Sequence, residues 1–292
     1  MIARISRRKY RLYAMDIESH NDEESIAKRE TSMWLGCILD EDSRMEDEES
    51  YFYTMPQFID WLRNQSSKKR KRINGKLDKR PCNNIAVFIY NLSFEWSFLL
   101  PVLLESGFKF KSHIDKNDEY VFNSVSTKSV SSVWQCQIKF EKDSGMILLR
   151  DLAKIYGGGL GNVAKAFKLP TQKGEIDYRK NRLHDYVITP EEKEYCFKDT
   201  RIIVDILLKE LESNDKDFFN SSSMASLTMR KLIKAGYPRS TKPYAKFREQ
   251  YPVLKQEEGD FVRNSFSGGI TYATDKWQFK EVNQPILHID GH

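Results

Sequence analysis

From Tyr10 to Glu18 apolar residues recur at alternate positions, a period of two that predicts a strand. Thr31 to Leu39 and Ser50 to Thr54 read as the next two strands, joined by an acidic turn. Phe58, Ile59 and Leu62 recur at helical spacing behind Pro56, predicting a short helix over Pro56 to Asn64. Ser66 to Arg80 lacks any period and reads as an exposed loop. Asn84 to Tyr90 is a nearly continuous apolar run, as a strand buried on both faces requires. A helix from about Phe94 to Ser106 should follow, ended by Gly107. Val121 to Phe140 suggests a hairpin and Met146 to Arg150 another strand. Gly157-Gly158-Gly159 then breaks the chain before a short helix at Asn162 to Phe167.

The sharpest local signal is Thr189-Pro190-Glu191-Glu192, a capping box with proline at the first helical position. It opens a helix to about Leu211 with an apolar stripe at Ile202, Ile203, Ile206 and Leu207. Glu212 to Ser223 is polar and serine-rich, so a domain boundary is expected at 212/213. Beyond it, Met224 to Ala235 reads as a helix, Pro238 to Pro252 as a linker, and Pro285 to Asp290 as a last strand.

Composition narrows the class without choosing a function. The 292 residues are 40% hydrophobic and 12% aromatic, too apolar for a disordered chain and enough for a large core. A net charge of +5 permits nucleic-acid binding but does not establish it. Cys37, Cys82, Cys136 and Cys196 are far apart, with no Cys-x-x-Cys pair, which argues for free thiols in a reducing compartment over zinc. No apolar run is long enough for a signal peptide or a membrane span, so no membrane partner is expected.

The candidate chemistry lies in four carboxylates. Asp16 and Glu18 are two apart on a strand and share a face. Tyr195 and Asp199 are four apart on a helix and share one too. Glu95 follows the apolar strand ending at Tyr90, where sites in open α/β sheets form. Taken singly, each has a plain reading: a solvated strand edge, a chance helical pair, a helix-start acid favoured by the dipole. Together, and in this order, they match what phosphodiester cleavage by two divalent ions needs, a convergent acidic cluster.

In these residues the chain resembles the N-terminal part of the protein-primed family B DNA polymerases of small tailed bacteriophages. Asp16-Ile17-Glu18, Tyr90 to Glu95 and Tyr195 to Asp199 are similar to the three exonuclease motifs of that group. Phe167-Lys168-Leu169, Lys173 to Tyr178 and Ile188 to Glu192 carry the most specific likeness. The resemblance implies a ribonuclease H-like (DEDD) α/β exonuclease fold over 1–212, a mixed central sheet flanked by helices. It implies two Mg²⁺ or Mn²⁺ ions on Asp16, Glu18, Glu95 and Asp199. Tyr195 would orient the attacking water, and Lys173 would place positive charge by the phosphate. Asn91, Phe94 and Phe98, with Ser19 and Tyr178, would grip a single-stranded 3′ end. Core packing is the equal alternative for Phe94 and Phe98. The second motif usually ends in Asp, so Glu95 leaves nuclease activity open.

The resemblance continues through residues 213–292. Phe266-Ser267-Gly268-Gly269 is similar to the Tyr-x-Gly-Gly element that contacts DNA between the two activities, with Phe266 in place of the usual Tyr. Leu287-His288-Ile289-Asp290 looks like the strand carrying the first palm carboxylate, Asp290, a ligand to polymerase metal if a partner completes the palm. Palm, fingers and thumb do not follow in these 292 residues, so this chain alone is not expected to polymerise. A split polymerase, a truncated product and a fragment all remain open. Expected partners are single-stranded and primer-template DNA, the remaining polymerase chain if the gene is split, and a terminal protein primer, in the cytoplasm of an infected host cell. The competing readings are a non-catalytic DNA-binding subunit and a stand-alone single-strand nuclease. The basic run Lys68 to Arg72 reads either as a phosphate contact or as a solvated loop, with nuclear localisation a weaker reading.

Overall fold

The computed structural model describes residues 10–28, 31–41, 48–67, 72–73, 76–77, 84–126, 132–142, 144–182, 186–213 and 216–265. Gly268, Gly269, Asp290 and the basic run 68–71 lie outside them.

In chain order the elements begin with β1 (Arg11–Ser19), α1 (Glu23–Lys28), β2 (Met33–Asp40), β3 (Tyr51–Phe52) and α2 (Met55–Ser66). Next come β4 (Arg72–Ile73), β5 (Lys76–Leu77), β6 (Ile85–Ile89), α3 (Leu92–Glu105), β7 (Lys109–Phe110), β8 (Val121–Ser126), β9 (Val133–Lys139) and β10 (Ile147–Asp151). The helices α4 (Ala153–Tyr156), α5 (Leu160–Ala166), α6 (Pro190–Glu212), α7 (Lys216–Phe219), α8 (Met224–Gly236), α9 (Pro243–Gln250) and α10 (Gln256–Ser265) complete it. Two compact units result, residues 1–232 and 233–292.

Eight strands form one mixed sheet in the order β3-β2-β1-β6-β10-β9-β8-β7. The centre is parallel: β1 pairs with β6, and β6 with β10. β2 runs antiparallel to β1, and β9 to β10. The central strands are buried on both faces, which is why β6 reads as Ile-Ala-Val-Phe-Ile rather than as an alternation.

Period-two geometry divides the core. Tyr13, Met15 and Ile17 of β1 join Ile85, Val87 and Ile89 of β6 in the layer filled by α2 and α3. Leu12 and Ala14 face the other way, with Ala86, Phe88 and Leu148, into the layer filled by α5, α6 and α7. Asp16 and Glu18 continue this second face, so the pleat of β1 aims both acids at the side where α6 lies. Cys37, Cys136 and Cys196 are buried thiols outside any disulfide.

The capping box forms as the sequence predicts. Thr189 Oγ accepts from the Glu192 N–H, and the Glu192 carboxylate accepts from the Thr189 N–H at 3.0 Å. Two expectations need correction. The segment read as a linker, 238–252, carries α9, begun by Pro243 at a first-turn position that tolerates its missing N–H. None of its residues is buried, so no apolar stripe announced it. The segment read as loop, 66–80, holds the short antiparallel pair β4–β5 on either side of Asn74-Gly75, a sequence suited to a tight hairpin turn. No helix among the described residues is long and apolar enough to cross a membrane.

Candidate metal centre and cleft

β1 and β6 run parallel in a register that sets Ala14 beside Phe88, so Asp16 reaches the level where β6 ends and α3 begins. The β1–β2 pairing shifts register between Glu18 and Ser19, an irregularity of the kind that re-aims side chains beside sites. Across from them, α6 presents Tyr195 and Asp199 one turn apart. Carboxylate oxygens of Asp16, Glu18 and Asp199 all lie within 4.8 Å of one another.

Glu95 comes from the first turns of α3, at the edge of the same cleft. It lies outside the 4.8 Å group, yet its carboxylate is close enough to be repelled by Asp16 and Glu18. Its own backbone N–H favours the ionised form. Glu95 is buried, and among the described residues its Oε2 has no hydrogen-bond partner; the same is true of Asp199 Oδ1. Orphaned, buried carboxylate oxygens are costly unless something fills them. An all-oxygen, acidic donor set fits a hard divalent cation such as Mg²⁺ or Mn²⁺.

The electrostatics agree with that fit. Burial, then the charge of Asp199, pushes Asp16 up to about 7. Burial, then Asp16 and Asp199, pushes Glu18 up to about 9. Burial and then Asp16 hold Glu95 well above the usual carboxylate range. Asp199 is raised as well, mainly by burial, although Lys173 opposes the shift. Acids crowded beyond what protein cations neutralise are held in waiting for positive charge.

Lys173 supplies part of that charge. Its Nζ lies 2.5 Å from Asp199 Oδ2 and 5.3 Å from the centroid of the Tyr195 ring. Burial works against the ammonium, but the hydrogen bond to Asp199 wins and raises its pKa. The chain passes close over Tyr195 here: a Cβ on Gly174 would stand 3.3 Å from the ring. The Tyr195 hydroxyl is hydrogen-bonded to that of Tyr178, and burial, then this bond, pushes the phenol up strongly.

These groups line an open cleft of about 450 Å³. Ser19, Asn91, Phe94 and Tyr178 line it too, together with the four acids, Lys173 and Tyr195. Phe94 is 38% exposed, whereas Phe98 is half-buried against the α2/α3 core and meets Phe94 edge-on at 5.1 Å. The structure thus brings ten of the sequence-predicted residues to one cleft and leaves Phe98 behind it.

Sequence reasoning missed the groups that shape this cleft. Asp151, fully buried at the end of β10, accepts from the N–H of Asn91 at 2.9 Å and of Ala153 at 2.8 Å. It pins Asn91 in a left-handed conformation, φ 77°, that asparagine tolerates better than most residues. The Tyr90 hydroxyl donates to the carbonyls of Gly157 and Gly158, at 2.8 and 3.0 Å, ordering a glycine loop on the cleft wall. An acid at the carboxyl end of a buried strand was the available signal for Asp151.

Residues 175–290 match the family model described as DNA polymerase type B, organellar and viral. The DNA polymerase of Bacillus phage phi29 is 28% identical over 205 residues, 69% of this chain and 33% of that protein. The DNA polymerase of Streptococcus phage Cp-1 is 26% identical over 281 residues, 94% of this chain and 42% of that protein. The chain therefore spans between a third and somewhat over two-fifths of the length of these curated relatives. The fold is similar to part of phi29 DNA polymerase complexed with single-stranded DNA, with TM-score 0.66 at 23% identity over 91% of this chain and 41% of that one. It is equally similar to the complex with primer-template DNA, at TM-score 0.66 over 94% and 42%. In sequence and in fold, the chain is similar to an N-terminal part of bacteriophage DNA polymerases, and its residues 175–290 to the type B model.

Proposed function

We propose that this chain is the metal-dependent 3′→5′ exonuclease, or proofreading, portion of a protein-primed DNA polymerase, with residues 1–212 as the nuclease domain. The observation that carries this reading is the convergence of Asp16, Glu18 and Asp199 within 4.8 Å, in a cleft that Glu95, Tyr195 and Lys173 also line. Asp16, Glu18, Glu95 and Asp199 would hold two Mg²⁺ or Mn²⁺ ions. When bound, such ions supply a water of lowered pKa and take up charge on a scissile phosphate.

The remaining work falls to the chain itself. Tyr195, its hydroxyl held by Tyr178, orients the attacking water. Lys173 offers its ammonium to the phosphate as negative charge develops, from a position already fixed by Asp199. Phe94, exposed at the cleft, stacks on a terminal base, while Asn91, Ser19 and Tyr178 offer polar contacts to an unpaired strand. Phe98 supports Phe94 from behind. Gly268, Gly269 and Asp290, outside the described residues, belong to the passage toward the polymerase palm in this reading. Single-stranded and primer-template DNA are the nucleic-acid partners. The rest of a polymerase and a terminal protein primer are the protein partners, in an infected host cell.

A second reading, a DNA-binding element with weak or no nuclease activity, is favoured by one observation: Glu95 stands outside the tight acidic group. The test is direct. Purified protein with Mn²⁺ or Mg²⁺ is expected to shorten a 5′-labelled single-stranded oligonucleotide from its 3′ end, and Asp16→Ala is expected not to. Binding without trimming would favour the second reading; trimming equal in wild type and Asp16→Ala would overturn the proposed site.

A further inference from the structure

Behind the cleft stands a buried ion pair that the proposed chemistry does not use. Arg182 and Glu192 are each 5% exposed, and Arg182 Nε donates to Glu192 Oε1 at 2.8 Å. The rest of the guanidinium is spent on the backbone. Nη2 donates to the Asp177 carbonyl at 2.8 Å, and Nη1 to the Lys180 carbonyl at 3.2 Å. Its plane lies over the Trp34 indole, 4.7 Å from that ring's centroid, on β2. Glu192 in turn accepts from the Tyr186 hydroxyl at 2.7 Å and from the Thr189 N–H at 3.0 Å.

The two carbonyls held by Arg182 bracket Tyr178. Residues 174–182 form no helix or strand, so no regular ladder sets their path. Tyr178 is itself 46% exposed, so packing does not hold its ring. What fixes it is the turn on which it rides and the hydroxyl–hydroxyl contact with Tyr195, the rings meeting edge-on at 6.2 Å. Glu192 and Tyr195 are three residues apart on α6, so the clamp and the contact are neighbours on one helix face. Only a planar fork can serve a carboxylate and two carbonyls at once; a lysine ammonium in its place lacks that geometry.

We infer that Arg182 and Glu192 are a positioning pair that sets Tyr178 against Tyr195 and thereby fixes the direction of the Tyr195 hydroxyl in the cleft. The kinetic consequence rests on the nuclease reading; the structural one does not.

The test uses the full chain with Arg182→Met, Arg182→Lys, Tyr178→Phe and the double variant Arg182→Met/Tyr178→Phe. Hydrogen exchange is followed in peptides covering 174–182, well below the melting temperature. Trimming of a single-stranded oligonucleotide with Mn²⁺ is measured in parallel. Arg182→Met is expected to speed exchange in 174–182 while β1 and β6 stay protected. It should lower kcat by about 10- to 100-fold, the usual cost of losing a supporting hydrogen-bond partner, with KM unchanged. Arg182→Lys should recover part of the loss, and the double variant should be no slower than the slower single one. Multiplying effects in the double variant, or unchanged exchange in 174–182, would overturn the inference. If Arg182→Met does not fold, Arg182→Lys carries the same comparison. If the wild type does not trim, the nuclease reading fails and the exchange result alone decides whether Arg182 holds the segment.

Discussion

Lys173 Nζ and Asp199 Oδ2 are 2.5 Å apart across 26 residues of sequence, joining the segment after α5 to the third turn of α6 beside three further acids. The pair balances a crowd. Asp16 and Glu18 also feel the lysine, and its charge lowers the pKa of each. Lys173→Met should therefore leave Asp199 uncompensated and destabilise the metal-free protein. Because the lysine side chain is 36% exposed, the loss is discounted to about 1 kcal/mol rather than the several expected of a fully buried pair. Denaturant unfolding in chelator at neutral pH measures it, and a midpoint equal to wild type would show that the pair is idle without metal.

The same crowding predicts a pH dependence of stability. Folding raises Asp16 from 3.8 to about 7 and Glu18 from 4.5 to about 9. Between those values the folded state holds protons that the unfolded state releases, so stability falls as pH rises through the window. In chelator, the melting temperature should fall from about pH 5 to about pH 9, and Asp16→Asn should flatten the slope. Divalent metal should reverse the trend, because its ligands must be deprotonated to bind. A stability maximum in mildly alkaline chelator would contradict the environment described for these acids.

Glu95 permits a sharper separation of stability from metal binding. Its carboxyl is held well above the usual range by burial and then by Asp16, and glutamine keeps its shape without its charge. Glu95→Gln should leave metal-free stability no more than about 1 kcal/mol below wild type, since it keeps the shape and removes a carboxylate crowded by Asp16. It should also reduce the stabilisation that Mn²⁺ gives, read as a smaller rise in melting temperature; for one site at a hundredfold excess over Kd that stabilisation is about 2.7 kcal/mol. An undiminished Mn²⁺ response would place Glu95 outside the metal set, as its position beyond the 4.8 Å group allows.

Much of this arrangement was legible in the chain, and what was not has a physical reason. The pleat of β1 puts Asp16 and Glu18 on one face, the capping box at Thr189 fixes where α6 starts, and four-residue spacing aligns Tyr195 with Asp199. Each is local geometry that sequence periodicity reports. The partners of Lys173 and Arg182 are not local. Which carboxylate Lys173 meets, and that Arg182 grips the turn carrying Tyr178, depend on how residues 173–182 lie against α6, a path with no period to read. Of Asp151 only the position at a strand end was readable, since the donor it holds across the cleft wall, Asn91, is 60 residues away at the start of α3. The exposed helix α9 escaped because a helix without a buried face leaves no stripe.

Phe94 and Phe98 are four residues apart on α3 and touch edge-on, yet they should answer mutation differently. Phe94 lines the cleft and is 38% exposed, so Phe94→Ala removes less buried surface than a core truncation does. Its stability cost should be below about 1 kcal/mol, as for exposed sites generally. Its effect should fall on single-stranded DNA, where losing one stacking ring weakens binding by about 1–3 kcal/mol. Phe98 packs against the core of α2 and α3, half-buried, and Phe98→Ala should cost about 2 kcal/mol of stability through lost contacts and a partial cavity. Oligonucleotide affinity and denaturant midpoints, measured on both variants, separate the roles. If the two variants fall together on both axes, Phe94 is a core residue and the base-stacking assignment at the cleft is lost.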